Sequence, residues 1–587
     1  MASDRLVPTP APSDLPTYSI LLDGSPIDVS YQVMAITVTK LINRITEAEI
    51  ILMDGDVPGE TFPTSDSGDL DPGVSLEIQA GYHQNNSTIF KGTIIKHAVK
   101  AIQNDTFVLV ITAKHDAYQM ALARNYRIFF KDKTDSDAIN TIMGDYGSVA
   151  GSVDSTSVTH ESLLQFNATD WDFVVMRAEM NKMVVTCTDD GKVNVKEVKV
   201  NKATLQLYFG SSIIEFEAEM DPRSSFKSYK LESWDYSQQA MDKEDGSGSV
   251  TEEGDISADS AGSSIKDKDM QMNMSTHLAD SEGSTIMNSR ATRSGVAKIK
   301  GRVKCIGYAS LQLGDSVQLN GVGKHFNGTA YVSGVRHYIT HGKWETDIQF
   351  GLDYKIHAEN FSDIAEKPAS GMLPAVNGLH LAVVTKLQDD PKGEHRIQVK
   401  IPVLSESDEC MWVRISTLDA GHDRGSFFRP EIGDEILLGF LNDDPRNAIM
   451  LGMLNSSAKP APLTAEDKND FKGFFTRSKM KIEFDDGKKI MTLWTPANNL
   501  IELNEDTKSI TIQDQNNNQI IMNEDGIKIT SIKDIVMTAQ NAITIEAQQS
   551  DINITADVGN FTAMGTGGAT VSTLQTLTLS GSNVIIG

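Results

Sequence analysis

The sequence predicts a mainly β protein in three successive parts: an N-terminal α+β part, a small closed barrel, and a C-terminal row of short strands wound from three chains into one β-helix. Two observations carry this reading. Five short apolar runs separated by Gly, Asp and Pro turns lie between Val376 and Asn455, the count of a small closed barrel. In the last part, from about Lys481 to Gly587, apolar-x-apolar pairs recur every seven to ten residues between Ile501 and Ile554, and each pair points to one face of a strand.

Residues 1–16 are polar and proline-dotted, with no apolar run; they read as a flexible N-terminus and not as a secretory signal. Residues 17–370 follow as one mixed region. Alternating runs such as Thr106–Thr112 read as strands. Asp135–Tyr146 reads as a helix with Asp135 as its N-cap and Ile139, Ile142 and Met143 on one face. Asp170–Met180 reads as a second helix. Within this region 242–269 is rich in Asp, Glu, Ser and Gly and is expected to be an acidic flexible loop, solvated and not a docking site.

The barrel, residues 376–455, is expected to use Leu381–Thr385, His395–Ile401, Met411–Ile415, Glu435–Phe440 and Ala448–Gly452, and an OB-fold fits that count. Residues 456–480, with Pro460 and Pro462, read as a linker. Residues 481–587 hold the repeat: Ile501/Leu503, Ile510/Ile512, Ile520/Met522, Ile527/Ile529, Ile535/Met537, Ile543/Ile545, Ile552/Ile554 and, more weakly, Phe561 and Leu577/Leu579. Each strand offers only about two large apolar side chains, so one chain alone buries too little to offset its ordering entropy. Three chains around a common axis supply three sets of side chains per turn and pair strand edges between chains. The alternative is a single-chain β-solenoid, whose coils usually repeat at about 20–25 residues, and the shorter period here favours the trimer.

Composition excludes several function classes. A formal charge of −27 over 587 residues disfavours nucleic acid, whose phosphates need a positive surface. Three scattered cysteines, Cys187, Cys305 and Cys410, suit a reducing compartment and form neither a disulfide framework nor a zinc cluster. No run approaches the length of a membrane span. Synthesis in the cytoplasm without a signal peptide is expected.

The segment holding Phe428, Arg429, Pro430, Glu431, Gly433, Asp434, Gly439, Phe440, Asp444, Pro445 and Arg446, followed by Met450–Asn455, closely resembles the OB-fold segment of VgrG-type spike proteins and phage baseplate spikes. Gln165–Phe173 with Arg177–Glu179, Leu207–Gly210 with Ile213–Phe216, and Phe326–His337 with Trp344–Thr346 are similar to the hub domain shared with phage tail hubs. The resemblance covers nearly the whole chain. It implies a homotrimeric hub and spike of a contractile injection machine, seated on an inner tube ring among baseplate proteins, its needle aimed at a target-cell membrane. Asn43–Ile50 and Pro72–Tyr82 resemble the extracellular, phage-tail-like systems more than type VI secretion spikes, with a phage baseplate third. The particle is then extracellular or delivered on contraction.

The same residues leave little space for an enzymatic domain. A lysozyme-like insert needs on the order of 100 residues, whereas about 25 separate Asn455 from Lys481. No room for a fused toxic domain is expected after Ile586. His337 and His341 have the spacing of helix-borne metal ligands but lie in an extended pattern. Asp389–Asp390 and Asp443–Asp444 read as turn residues. Gly321–His325 lacks the full spacing of a phosphate loop and reads as a hairpin turn. Beyond His422 there is no histidine, so the histidine-bound tip metal of some spikes cannot be carried over. No catalytic residue, cofactor or metal is expected. A tail-associated cell-wall or polysaccharide hydrolase is the alternative. Ser580, Gly581, Ser582, Asn583, Val584, Ile585, Ile586 and Gly587 would present exposed strand ends, and the resemblance implies a separate PAAR-like tip protein docked there.

Overall fold

The computed structural model describes residues 15–102, 106–248, 253–265, 268–404 and 411–586. Residues 1–14, Cys410 and Gly587 lie outside these, and with them most of the expected flexible N-terminus and the last residue of the expected tip site. The first described strand, Pro16–Leu22, already pairs with Ser75–Tyr82.

The N-terminal region is built on a 13-stranded sheet. Its inward residues alternate, as in Glu47–Met53, where Ala48, Ile50 and Leu52 are fully buried. One core gathers Ile20, Ile36, Ile50, Leu76, Ile78 and Leu109, and a second gathers Leu205, Val303, Val317, Val332, Ile348 and Phe350. The halves join where Gly328–Thr340 pairs antiparallel with Gln32–Leu41, Val335 opposite Lys40.

A third core packs α1 (Asp135–Gly144) and α2 (Asp170–Met180) against a three-stranded sheet, through Ile139, Ile142, Phe173 and Val174. The α1 cap is Thr134 and not Asp135. The Thr134 hydroxyl accepts from the Asp137 amide at 3.1 Å, and the Asp137 carboxylate accepts from the Thr134 amide at 3.1 Å, a reciprocal capping box. Asp135 is one residue inside and buried. Burial raises its pKa, but hydrogen bonds from His160, Arg177 and Asn181 outweigh that and hold it down at about 2.

The segment expected as a loop, 242–269, is ordered into elements in its described part. Asp242–Gly246 belongs to a strand, Ala240–Gly246, that pairs with Tyr229–Asp235. α3 (Ala258–Ile265) follows. The composition hides both. Met241 is the one large apolar side chain of the strand, and α3 packs through small residues, with Ala258, Ala261 and Gly262 buried. A Cβ on Gly262 would stand 2.7 Å from the Ser225 carbonyl oxygen. Residues 249–252 and 266–267 lie outside the described residues. The longer α4 (Glu282–Ala297) packs Met287 and Ala291 with Tyr229 and Leu231.

Five strands close the barrel: His380–Lys386, Ile397–Lys400, Met411–Ile415, Ala448–Met453 and Glu435–Phe440, in that order around it. Ala382, Val384, Ile397, Val399, Val413, Ile436, Leu438, Ala448 and Met450 are buried.

Beyond the barrel lies a seven-stranded antiparallel sheet: Phe471–Phe475, Lys481–Asp485, Ile490–Trp494, Leu500–Asn504, Ser509–Gln513, Gln519–Asn523 and Gly526–Thr530, each paired with its neighbour in sequence. Its first strand falls inside the expected linker 456–480. Gly473 and Lys472 mask the alternation there, and the pairing of Phe474 with Ile482 supplies the order. Among the described residues from 531 onward no strand forms within the single chain. The pairs expected there, Ile535/Met537, Ile543/Ile545, Ile552/Ile554 and Leu577/Leu579, stand exposed.

Candidate functional site

The sequence-derived barrel motif is a set of turn locks around one strand. Arg429 donates to the carbonyl of His395 at 2.6 Å. The Glu431 amide donates to the Asp434 carboxylate at 2.8 Å. Gly433, at φ 88°, takes the left-handed turn that a side chain would strain, and its amide donates to the Val384 carbonyl at 2.7 Å. Asp444 accepts from both Nη2 (2.6 Å) and Nε (3.0 Å) of Arg446. The side chain of Arg446 first, then its amide, hold the Asp444 carboxyl down at about 2. Phe440 stands edge-on to His380 at 5.6 Å. These contacts shape the barrel; none brings together a nucleophile, a base and an open cleft.

The same loop meets the segment after the barrel. Phe428 stacks on Phe474, Arg477 pairs with Glu431 at 2.9 Å, and Lys459 lies 3.4 Å from Asp434. Sequence reasoning missed this joint; its only signal was an aromatic cluster, Phe471, Phe474 and Phe475, inside a segment otherwise polar.

The strand array is two-faced. Register places Phe474, Ile482, Leu493, Ile501, Ile512, Ile520 and Ile529 in one line, and Phe484, Met491, Leu503, Ile510, Met522 and Ile527 in a second line beside it. Both lines lie on one face, because paired residues share a side and residues two apart along a strand do too. From Ile482 to Ile512 the exposed members of this face are 36–43% exposed. Seven strands are separated by six spacings of about 4.8 Å, which makes it roughly 29 Å from first to last strand. The other face is mixed: Glu483, Thr492, Glu502 and Thr511 are followed in register by Ile521 and Lys528, and Ile490, Trp494 and Leu500 lie on the same side. Lys481 lies 5.6 Å over the Trp494 ring there. A continuous apolar surface of this size on one chain marks a place where another surface belongs. At the proposed tip site, Val584, Ile585 and Ile586 are 50%, 92% and 82% exposed.

Other constellations resolve into local structure. His337 lies in the strand Gly328–Thr340, fully buried, with Nδ1 3.2 Å from the Thr346 hydroxyl. Burial and the nearby Lys40 push its pKa well down. His341 sits in the turn beyond, so the pair shares no helix face. Gly321–His325 lies in the hairpin between Ser316–Asn320 and Gly328–Thr340. Asp390 accepts from Arg396 at 2.6 Å and from the amides of Lys392, Glu394 and Arg396, a turn lock. Among the described residues no group of three or more His, Cys, Asp or Glu could hold a metal ion. No helix among them is long and apolar enough to cross a membrane.

Residues 12–341 match the model of the Alg8 N-terminal domain, and residues 380–454 match the Type VI secretion system/phage-baseplate injector OB domain. Residues 380–454 thus carry an injector-type OB domain, followed in sequence by the strand array. The first match spans more than half of the chain, which belongs to the Alg8 N-terminal domain family. Over 123 residues the chain is 28% identical to the type VI secretion system spike protein VgrG4b of Pseudomonas aeruginosa, covering 20% of this chain and 15% of that protein. Among solved structures, the Escherichia coli c3393 protein, a component of the type VI secretion system, is 12% identical with a TM-score of 0.39, covering 74% of this chain and 99% of that one. The 43 kDa tail protein of prophage MuSo2 from Shewanella oneidensis is 9% identical with a TM-score of 0.43, covering 57% and 98%.

Proposed function

We propose that this chain is the structural hub and spike of a contractile injection machine, working as a homotrimer. The observation that carries the reading is the uncovered apolar face from Phe474 to Ile529. Three copies with these faces turned to a common axis make a narrow dry core, with Glu483, Glu502 and Lys528 left in water. Such a body is stiff and works by shape and force, without catalysis. Residues 17–370 form the hub, 376–455 the OB barrel and 481–587, together with the preceding strand Phe471–Phe475, the needle. The hub sits on an inner tube ring among baseplate proteins, and the needle pierces the target-cell membrane on firing, in an extracellular, phage-tail-like particle. Val584, Ile585 and Ile586 offer the apolar seat for a separate PAAR-like tip protein.

The deciding experiment is the native mass of the purified full-length chain. The expected result is three chains per particle. A single-chain mass at micromolar concentration would remove the needle from the reading, and turnover of peptidoglycan or polysaccharide by the pure protein would replace it with a hydrolase.

A further inference from the structure

A second uncovered apolar face lies far from the array in sequence. Arg124–Thr134 and Thr159–Thr169 form an antiparallel ribbon in which, among the described residues, each strand pairs only with the other. Its inner face is well anchored. Phe129 stacks on Phe173 at 6.1 Å, Arg127 pairs with Asp170 at 2.9 Å, and Gln165 donates to the same carboxylate at 2.7 Å. Its outer face carries Tyr126, Ile128, Phe130, Leu164 and Phe166, each 53–62% exposed. Register puts Phe166 opposite Tyr126 and Leu164 opposite Ile128, and the Tyr126 and Phe166 rings meet edge to face at 5.2 Å. The face is therefore held in shape by the fold below it, and its side chains stand open to solvent among the described residues.

Its size selects the occupant. Large apolar side chains of this kind bury about 150–250 Å² each when covered, so five of them at half exposure present roughly 500 Å². A free-standing protein complex needs about 800 Å² per partner. The ribbon alone is too small to hold a separate protein from solution. Between chains already joined, the second contact is intramolecular in effect and a small patch suffices.

We infer that the outer face of this ribbon is a lateral contact between neighbouring copies of this chain, made once the strand array has joined them. The inference rests on the three-chain reading. In a cyclic trimer each copy then gives its ribbon to the next, a head-to-tail contact that closes on itself.

The test is a photo-reactive benzoylphenylalanine placed at Phe130, and separately at Phe166, in the full-length chain. Illumination of the purified protein is expected to give covalent products of two and three chain masses. The same group at Lys528, on the polar face of the array, controls for chance contacts and is expected to give several-fold less. Native mass is read on each sample. Three chains without ribbon cross-links, or with no more than at Lys528, overturns the lateral contact and leaves the trimer standing. One chain overturns the three-chain reading and the lateral contact with it. Phe166→Glu provides a second arm: the native mass should stay at three chains while cross-linking from position 130 falls at least fivefold, and unchanged cross-linking overturns the inference.

Discussion

Phe428 and Phe474 stack with ring centroids 5.5 Å apart and planes 17° from parallel, joining the barrel motif to the first strand of the array. Aromatic pairs of this geometry are worth about 0.5–1.5 kcal/mol beyond the area they cover. A double-mutant cycle of Phe428→Ala and Phe474→Ala is expected to show coupling in that range, with faster amide exchange across Phe471–Phe475 in either single variant. Strict additivity of the two substitutions would mean that the rings only lie near each other.

The two faces of the array separate packing from strand formation. Ile512→Asp puts three carboxylates into the proposed axis, and unpaired buried charge is the costliest of single changes. Thr511→Asp adds the same charge one residue away, on the wet face. Native mass is expected to drop to one chain for the first and stay at three for the second. Equal behaviour of the two would disprove the sidedness argument.

Glu253 supplies a pH dependence. Its side chain is buried, and Oε1 has no hydrogen-bond partner. Desolvation pushes its pKa up to about 8, with Lys298 pulling the other way. A carboxyl whose folded pKa is raised contributes its full share below the unfolded value of 4.5 and loses it as pH rises through about 8. Glu253→Gln removes that loss. At pH 8 the variant is expected to be more stable by on the order of a few kcal/mol, since one pKa unit corresponds to about 1.36 kcal/mol, and at pH 4 the gap should close. Thermal unfolding at the two pH values checks this; a gap that does not change with pH counts against it.

The turns of the array set a fourth expectation. Lys508 and Asn517 sit at φ 50° and 65°, where a β-branched residue is strained by roughly 1–2 kcal/mol. Asn517→Val is expected to lower the midpoint of unfolding, and Lys508→Gly to leave it unchanged or raise it. A neutral Asn517→Val would show that the turn adapts.

Legibility in the sequence followed the range of the interactions. Each barrel strand was readable to within about two residues, because alternation between Val384, Val399, Val413 and Leu438 and the intervening turns are local signals. The helices α1 and α2 were readable for the same reason, although the capping pair, Thr134 and Asp137, was passed over for the adjacent acid. What stayed hidden depends on distant partners. The pairing of Val335 with Lys40 joins segments nearly three hundred residues apart, and nothing local announces it. Ala240–Gly246 is a strand only because Tyr229–Asp235 lies beside it, and Ala258–Ile265 is a helix whose packing surface is made of alanine and glycine. The apolar repeat from Ile501 to Ile529 was visible as a pattern, while the antiparallel meander it forms within one chain was not, since the same spacing serves a coil equally well. The barrel motif marked turn locks, and the aromatic joint to Phe474 needed coordinates.

Because each strand of the array pairs with the strand next to it in sequence, its contacts are as local as β structure allows. Local topologies fold fast, and single hairpins close in about 1–10 μs. The array can zip hairpin by hairpin within each chain, and in the proposed trimer the slow step is then the encounter of three chains that already display matching faces. Concentration, more than intrinsic folding speed, would govern how quickly spikes mature.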